Sequence, residues 1–181
     1  MVRKETDQKQ EGSLEKTFPV TFSLEESKKN ITISSNTDSS PTKEEMIKRA
    51  IELHLKGNIQ EAAKHYQQII DKGFKDQRVF SNYGIILKNL GKLKEAEISM
   101  RKAIEIKPDF TSAFLSLGLI LNDLGKSKEA EKFIRKAIEI QPDYYKAHSA
   151  LGVLLSKFGK PEEAEKSIRK AIKIQPNFVD A

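Results

Sequence analysis

The chain has 181 residues, with 32 basic and 26 acidic side chains, a formal net charge of +6 and no cysteine. Without cysteine, disulfides and thiolate metal sites are excluded. At 38% hydrophobic and 32% charged residues, it holds enough apolar material for one domain but is polar for a compact core, so a thin or extended core is expected.

Residues 1–42 carry six of the basic and seven of the acidic groups, many Ser and Thr, and almost no helical periodicity, which reads as a disordered tail. The basic excess therefore belongs to the remainder. The opening stretch MVRKETDQKQEGSLEK lacks the apolar core of a signal peptide, and no stretch approaches the roughly 20 apolar residues that span a bilayer. A soluble, cytoplasmic protein without a membrane partner is the default expectation. Within the tail, Phe18-Pro19-Val20-Thr21-Phe22-Ser23-Leu24 alternates apolar and polar residues. It suits either an extended strand docked on the rest of the chain or a partner, or a linker with chance hydrophobics.

From residue 43 onward the sequence repeats every 34 residues: Gly57, Gly91, Gly125 and Gly159 recur in register, as do Ala62, Ala96, Ala130 and Ala164. Four units fit without a gap, at 43–76, 77–110, 111–144 and 145–178. Such a period predicts a solenoid, in which each unit buries its apolar face only against its neighbours. In the third unit Phe114, Leu117, Leu121 and Leu124 keep helical spacing, Gly125 interrupts, and Ala130, Phe133, Ile134, Ala137 and Ile138 resume it. Two antiparallel helices joined by a short turn follow. Gly125 and its equivalents stand where a helix end favours a left-handed residue. Pro108, Pro142 and Pro176 follow the second helices, and Pro161 opens one. Gly84, Gly118 and Gly152 lie inside first helices, a costly place unless another helix must come close, and Ala96, Ala130 and Ala164 supply the small partner.

The hexapeptide RKAIEI at 101–106 and 135–140, and RKAIKI at 169–174, falls on the second helices. Glu97, Glu131 and Glu165 precede each Arg by one helical turn, the favourable order for an ion pair of roughly 0.2–0.5 kcal/mol. Much of the basic stripe is thus internally paired. Aromatic stacking platforms are also absent, so nucleic acid is not expected as a partner. His54, His65 and His148 have no spacing that builds a metal site or an activated nucleophile, and no glycine-rich phosphate loop exists. The chain as given is not expected to be an enzyme or to hold a cofactor. Residues 179–181 copy the start of a truncated fifth repeat, which leaves Ile168 and Ile172 without a cover. That end points to a fragment of a longer protein or to end-to-end self-association through the uncapped C-terminal repeat.

These residues resemble the tetratricopeptide repeat family. Its pattern is filled by Phe80, Tyr83, Gly84, Leu87, Ala96, Met100, Ala103 and Pro108. The third unit fills it with Phe114, Leu117, Gly118, Leu121, Ala130, Ile134, Ala137 and Pro142, and the fourth with His148, Leu151, Gly152, Leu155, Ala164, Ile168, Ala171 and Pro176. The first unit departs, with Arg49 and Ala50 for Leu-Gly, Ile69 for Ala and Phe74 for Pro, and looks like a divergent capping repeat. The resemblance implies an all-α fold, a right-handed α-solenoid of antiparallel helix pairs, acting as a protein–protein interaction scaffold. First helices would line a concave groove that grips a peptide or partner helix. Glu44, Ile47, Ile51 and His54 would face it, with Arg78, Ser81, Ile85 and Lys88, Ser112, Leu115, Leu119 and Asn122, and Lys146, Ser149, Val153 and Ser156. The aliphatic series Ile51, Ile85, Leu119 and Val153 is either a spine for the ligand or part of the helix packing. Arrays of this type also precede transferase domains, so the alternative is the substrate-recognition half of a larger enzyme extending beyond residue 181.

Overall fold

The computed structural model describes residues 40–177, all helical apart from turns. The tail segment 18–24 and the start of a fifth unit at 179–181 lie outside the described residues. The elements are α1 (Lys43–Leu55), α2 (Ile59–Asp71), α3 (Gln77–Asn89), α4 (Leu93–Ile106), α5 (Thr111–Asp123), α6 (Ser127–Ile140), α7 (Tyr145–Lys157) and α8 (Pro161–Ile174).

Local chemistry sets their ends. α1 opens on a capping box: the Glu45 N–H donates to Thr42 Oγ1 at 3.3 Å, and the Thr42 N–H donates to Glu45 Oε2 at 2.8 Å. Within the third unit, Gly125 sits at φ 75°, its N–H donating to the Asn122 carbonyl at 2.9 Å and the Lys126 N–H to the Leu121 carbonyl at 2.8 Å. That pair of bonds satisfies two of the carbonyls a helix end leaves over and turns the chain back on itself. The second helices of the last three units end in a residue with φ near −132°, as at Lys107 before Pro108, whereas α2 ends at Lys72 (φ −72°) followed by Gly73 at φ 78°.

Each pair packs face to face, each second helix packs on the first helix of the next unit, and α3 also touches α5. The result is a solenoid of helix pairs. Its central core is Leu117, Ile120, Leu121, Ala130, Ile134 and Ala137, all essentially without solvent exposure. Close approach of paired helices depends on the mid-helix glycines. A Cβ at Gly118 would stand 2.6 Å from Ile134 Cγ1 and 3.1 Å from the Ala130 carbonyl oxygen.

The first unit forms a cluster with one face of α3, built on Ile47, Ala50, Tyr66, Ile69, Val79 and Ile86, distinct from the cluster that runs through the other three units. His54, Ser81 and Asn82 are buried on α1 and α3; the His54 Nδ1 and Ser81 Oγ have no hydrogen-bond partner among the described residues, and Asn82 lies beside the Tyr66 hydroxyl. The outer face of α1 is also polar. Thr42, Glu45, Arg49, Glu52 and Lys56 occupy the places that Phe110, Ala113, Leu117, Ile120 and Leu124 fill in α5. Those α5 residues are packed under α4, whereas the α1 residues face solvent or are half-buried. The outer face of α1 is therefore polar where the equivalent face of α5 is apolar.

Candidate interaction surface

Because α3 meets α5 while each second helix is displaced to the other layer, the first helices form one side of the solenoid. Exposure along that side changes from one end to the other. In the first two units His54, Ser81 and Ile85 are buried and Ile51 is half-buried. In the third, Leu115 is buried while Ser112, Leu119 and Asn122 are half-buried. In the fourth, Lys146, Val153 and Ser156 are exposed and Ser149 half-buried, Val153 at 48%. His54, Ser81, Ile85 and Leu115, with Ile47, therefore offer almost no surface to a ligand in this structure and serve the packing. The open patch runs from Leu119 and Asn122 to Lys146, Ser149, Val153 and Ser156. The Lys146 ammonium lies 5.9 Å over the Tyr145 ring, at the edge of that patch.

Two candidate cations are already engaged by neighbouring units. Arg78 grips Glu44 with both terminal nitrogens, at 2.8 and 2.9 Å, and donates to Asp76 at 3.0 Å. Its bond to Glu44 holds that carboxyl below the ordinary glutamate range and pushes the guanidinium pKa up. Burial alone would raise Asp76, but hydrogen bonds from Arg78 and Lys43 outweigh it and keep the carboxylate charged. Asp76 also accepts from the Arg78 N–H at 3.0 Å as the cap of α3. Lys88 pairs with Asp123 of the next first helix at 3.5 Å. Neither Asp76 nor Asp123 follows from helical periodicity. An Asp two residues before Arg78, just ahead of a helix, was the available signal for the first.

The opposite layer carries an ionic ladder. Glu97 accepts from Arg101 on its own helix and from Lys126 of the next unit, both at 2.8 Å, and Arg101 reaches Glu129 at 3.5 Å. The Lys126 bond first, then Arg101, against burial, holds Glu97 below the ordinary range. Glu131, Arg135, Lys160 and Glu163 repeat the arrangement one unit on, at 2.8, 3.1 and 3.7 Å. Among the described residues no cluster of His, Asp and Glu could hold a metal ion, and no helix is long and apolar enough to cross a membrane.

Burial lowers the His54 pKa below its ordinary 6.5, and the ring meets Tyr66 edge-on with centroids 6.1 Å apart. A histidine with a depressed folded-state pKa binds its proton more readily unfolded. Its contribution to stability is full above pH 6.5 and is lost as the pH falls through the lower folded value. Thermal melts from pH 8 towards pH 5 should therefore show a falling midpoint that flattens in His54→Gln. The lowered carboxyls Glu44 and Glu97 act only below their ordinary 4.5, so they leave this window clear.

The profile of the cilia and flagella-associated protein 70 middle TPR-like domain matches residues 47–175. No curated protein sequence matches. Among solved structures, MamA is similar with a TM-score of 0.70 and 18% identity, over 77% of this chain and 82% of that one. YrrB, described as a TPR protein with an unusual peptide-binding site, superposes with a TM-score of 0.67 and 23% identity, over 76% and 71%. MamA residues 41 to the end from Desulfovibrio magneticus RS-1 gives 0.68 and 17%, over 76% and 78%. At these identities the likeness shows the fold.

Proposed function

Since the chain belongs to the family of the cilia and flagella-associated protein 70 middle TPR-like domain, we propose that it is a scaffold that takes a peptide or partner helix along its first helices. The observation that carries this reading is the change in exposure along that side. In the first two units Ile47, His54, Ser81 and Ile85 are buried and Arg78 and Lys88 are held in ion pairs, whereas Leu119, Asn122, Lys146, Ser149, Val153 and Ser156 present an apolar strip flanked by hydroxyl, amide and ammonium groups. An extended or amphipathic ligand would bury an aliphatic or aromatic side chain on Val153 and Leu119 and set a carboxylate against Lys146. The peptide-binding description of YrrB, which shares the fold, agrees with such use.

The test is selection of a displayed random-peptide library on the whole chain, followed by affinity measurements on Val153→Asp and Lys146→Glu. Both positions are exposed, so both variants should melt as the parent does. Selected peptides should lose about tenfold or more in affinity, equivalent to about 1.4 kcal/mol, on each change. Failure to enrich any peptide, or binding to both variants as tight as to the parent, would sink the reading.

A further inference from the structure

We propose that residues 18–24 of this chain, Phe18-Pro19-Val20-Thr21-Phe22-Ser23-Leu24, dock along the groove between α2 and α4, with the Phe22 ring seated on Phe80. This groove lies between two units of the solenoid, on the second-helix layer and away from the peptide side. The inference therefore stands apart from that reading.

The next junction shows what fills such a groove. Between α4 and α6, Phe133 stacks on Phe114 with centroids 6.1 Å apart, and the Arg101 guanidinium lies 5.3 Å over the Phe133 ring. One unit earlier Phe80 holds the place of Phe114, but Ser99 stands for Phe133 and Gln67 for Arg101. Ser99 donates to the Phe80 carbonyl at 2.8 Å, and Gln67 donates to Asp71 at 2.7 Å. A groove of about 490 Å³ remains beside Phe80, lined also by Ile70, Tyr83 and Ile98. Ile98 is 69% exposed, where the other three units carry Lys64, Lys132 and Lys166. The junction thus lacks a ring and keeps in water an isoleucine that every other unit replaces with a charge. At the last junction Ser167 also stands for the ring, but His148 replaces the phenylalanine beneath it and Lys166 replaces Ile98, so that groove is polar.

The segment supplies what is missing. Its apolar residues alternate, so an extended backbone puts Phe18, Val20, Phe22 and Leu24 on one face and Thr21 and Ser23 on the other. Seven extended residues span about 20 Å, the length of a 13-residue helix such as α2. Lys43, at the start of α1, reaches Asp76 at 3.3 Å, between α2 and α3, so the chain enters the solenoid beside one end of the groove. The 18 residues 25–42 can stretch to about 60 Å, which brings the segment to the groove with slack. With Leu24 at that end, Glu25 and Glu26 would fall near Lys102, and Lys16 near Glu95 at the other end of α4. Both flanks then meet the opposite charge.

The experiment uses the full chain with a nitroxide attached through Ser23→Cys, the single thiol in a chain that has none of its own. The label sits on the polar edge of the segment and should broaden the methyl signals of Ile70 and Ile98 while leaving those of Val153 sharp. Phe22→Asp should return both isoleucine signals. Ile98→Lys should return that of Ile70 and speed chymotryptic cleavage after Phe22 about tenfold, because cleavage follows the population of the open form. Ile98 is exposed and the other three units carry lysine at its place, so this variant should melt as the parent does. Sharp Ile70 and Ile98 signals in the labelled parent, or broadening and cleavage unchanged in Ile98→Lys, overturn the proposal. So does broadening of equal strength when the spin-labelled chain is mixed with isotope-labelled chain that carries no nitroxide, because the segment then docks on a second copy.

Discussion

Replacing Gly118 with valine is expected to destabilise the protein by about 3 kcal/mol, the upper end of what overpacking a well-packed core usually costs. A Cβ there meets Ile134 Cγ1 at 2.6 Å and the Ala130 carbonyl oxygen at 3.1 Å, and the second of these is backbone that cannot swing aside. Valine adds two branches with little choice of rotamer inside a helix. Gly84 provides the comparison. There the nearest atom is the Met100 terminal methyl at 3.0 Å, on a flexible side chain, and the Ala96 carbonyl oxygen stands off at 3.4 Å. Gly84→Ala should be close to neutral, because the helix propensity gained over glycine, about 0.8–1 kcal/mol, offsets a small repacking of methionine. Urea titrations of Gly84→Ala, Gly118→Ala and Gly118→Val should rank in that order of increasing loss. Equal loss for the two alanine variants would show that close helix approach is not why glycine stands at Gly118.

Leu117→Ala should cost about 2–5 kcal/mol, the range for deleting a fully buried leucine when the surroundings relax only in part. Leu117 has no solvent exposure and belongs to the core shared by the last three units. In a solenoid stability is a sum over units and their junctions, so the loss should fall on the third unit and its seams. Hydrogen exchange should speed most in α4 to α7 and least in α1 and α2, whose cluster is separate. Val153→Ala, at 48% exposure, is the matched control and should stay within about 0.5 kcal/mol of the parent. A similar loss at both positions would contradict the assignment of Leu117 to the core and of Val153 to open surface.

The solenoid was legible because its signals are local and repeated. Gly125 must take a left-handed conformation whatever surrounds it, and it does, at φ 75°. The hexapeptide RKAIEI could be placed on a second helix from periodicity alone, and its arginine could be paired with the glutamate one turn earlier, as at Arg101 and Glu97. The partners across the junctions were not legible in the same way. Lys126 to Glu97 and Arg78 to Glu44 depend on how one unit lies on the next, which no window of a few residues contains.

The candidate site was legible only in outline. The resemblance placed Ser81, Leu115 and Val153 on the same side, and it could not tell that the first two are covered while the third is open. Nor did periodicity mark the buried polar groups of the first two units, where His54 meets the Tyr66 ring and Asn82 lies beside its hydroxyl.

What this sequence determined by itself is the unit: two helices, a glycine turn, a proline exit and an alanine–glycine contact, all set by short-range sterics and hydrogen bonding. What only the tertiary structure decided is which copies of an equivalent side chain meet water. Ile134 and Ile168 hold the same place in consecutive units, and one is 1% exposed while the other is half-buried. Exposure in a solenoid depends on the neighbour stacked on each face, and the last described helix has none on its outer side.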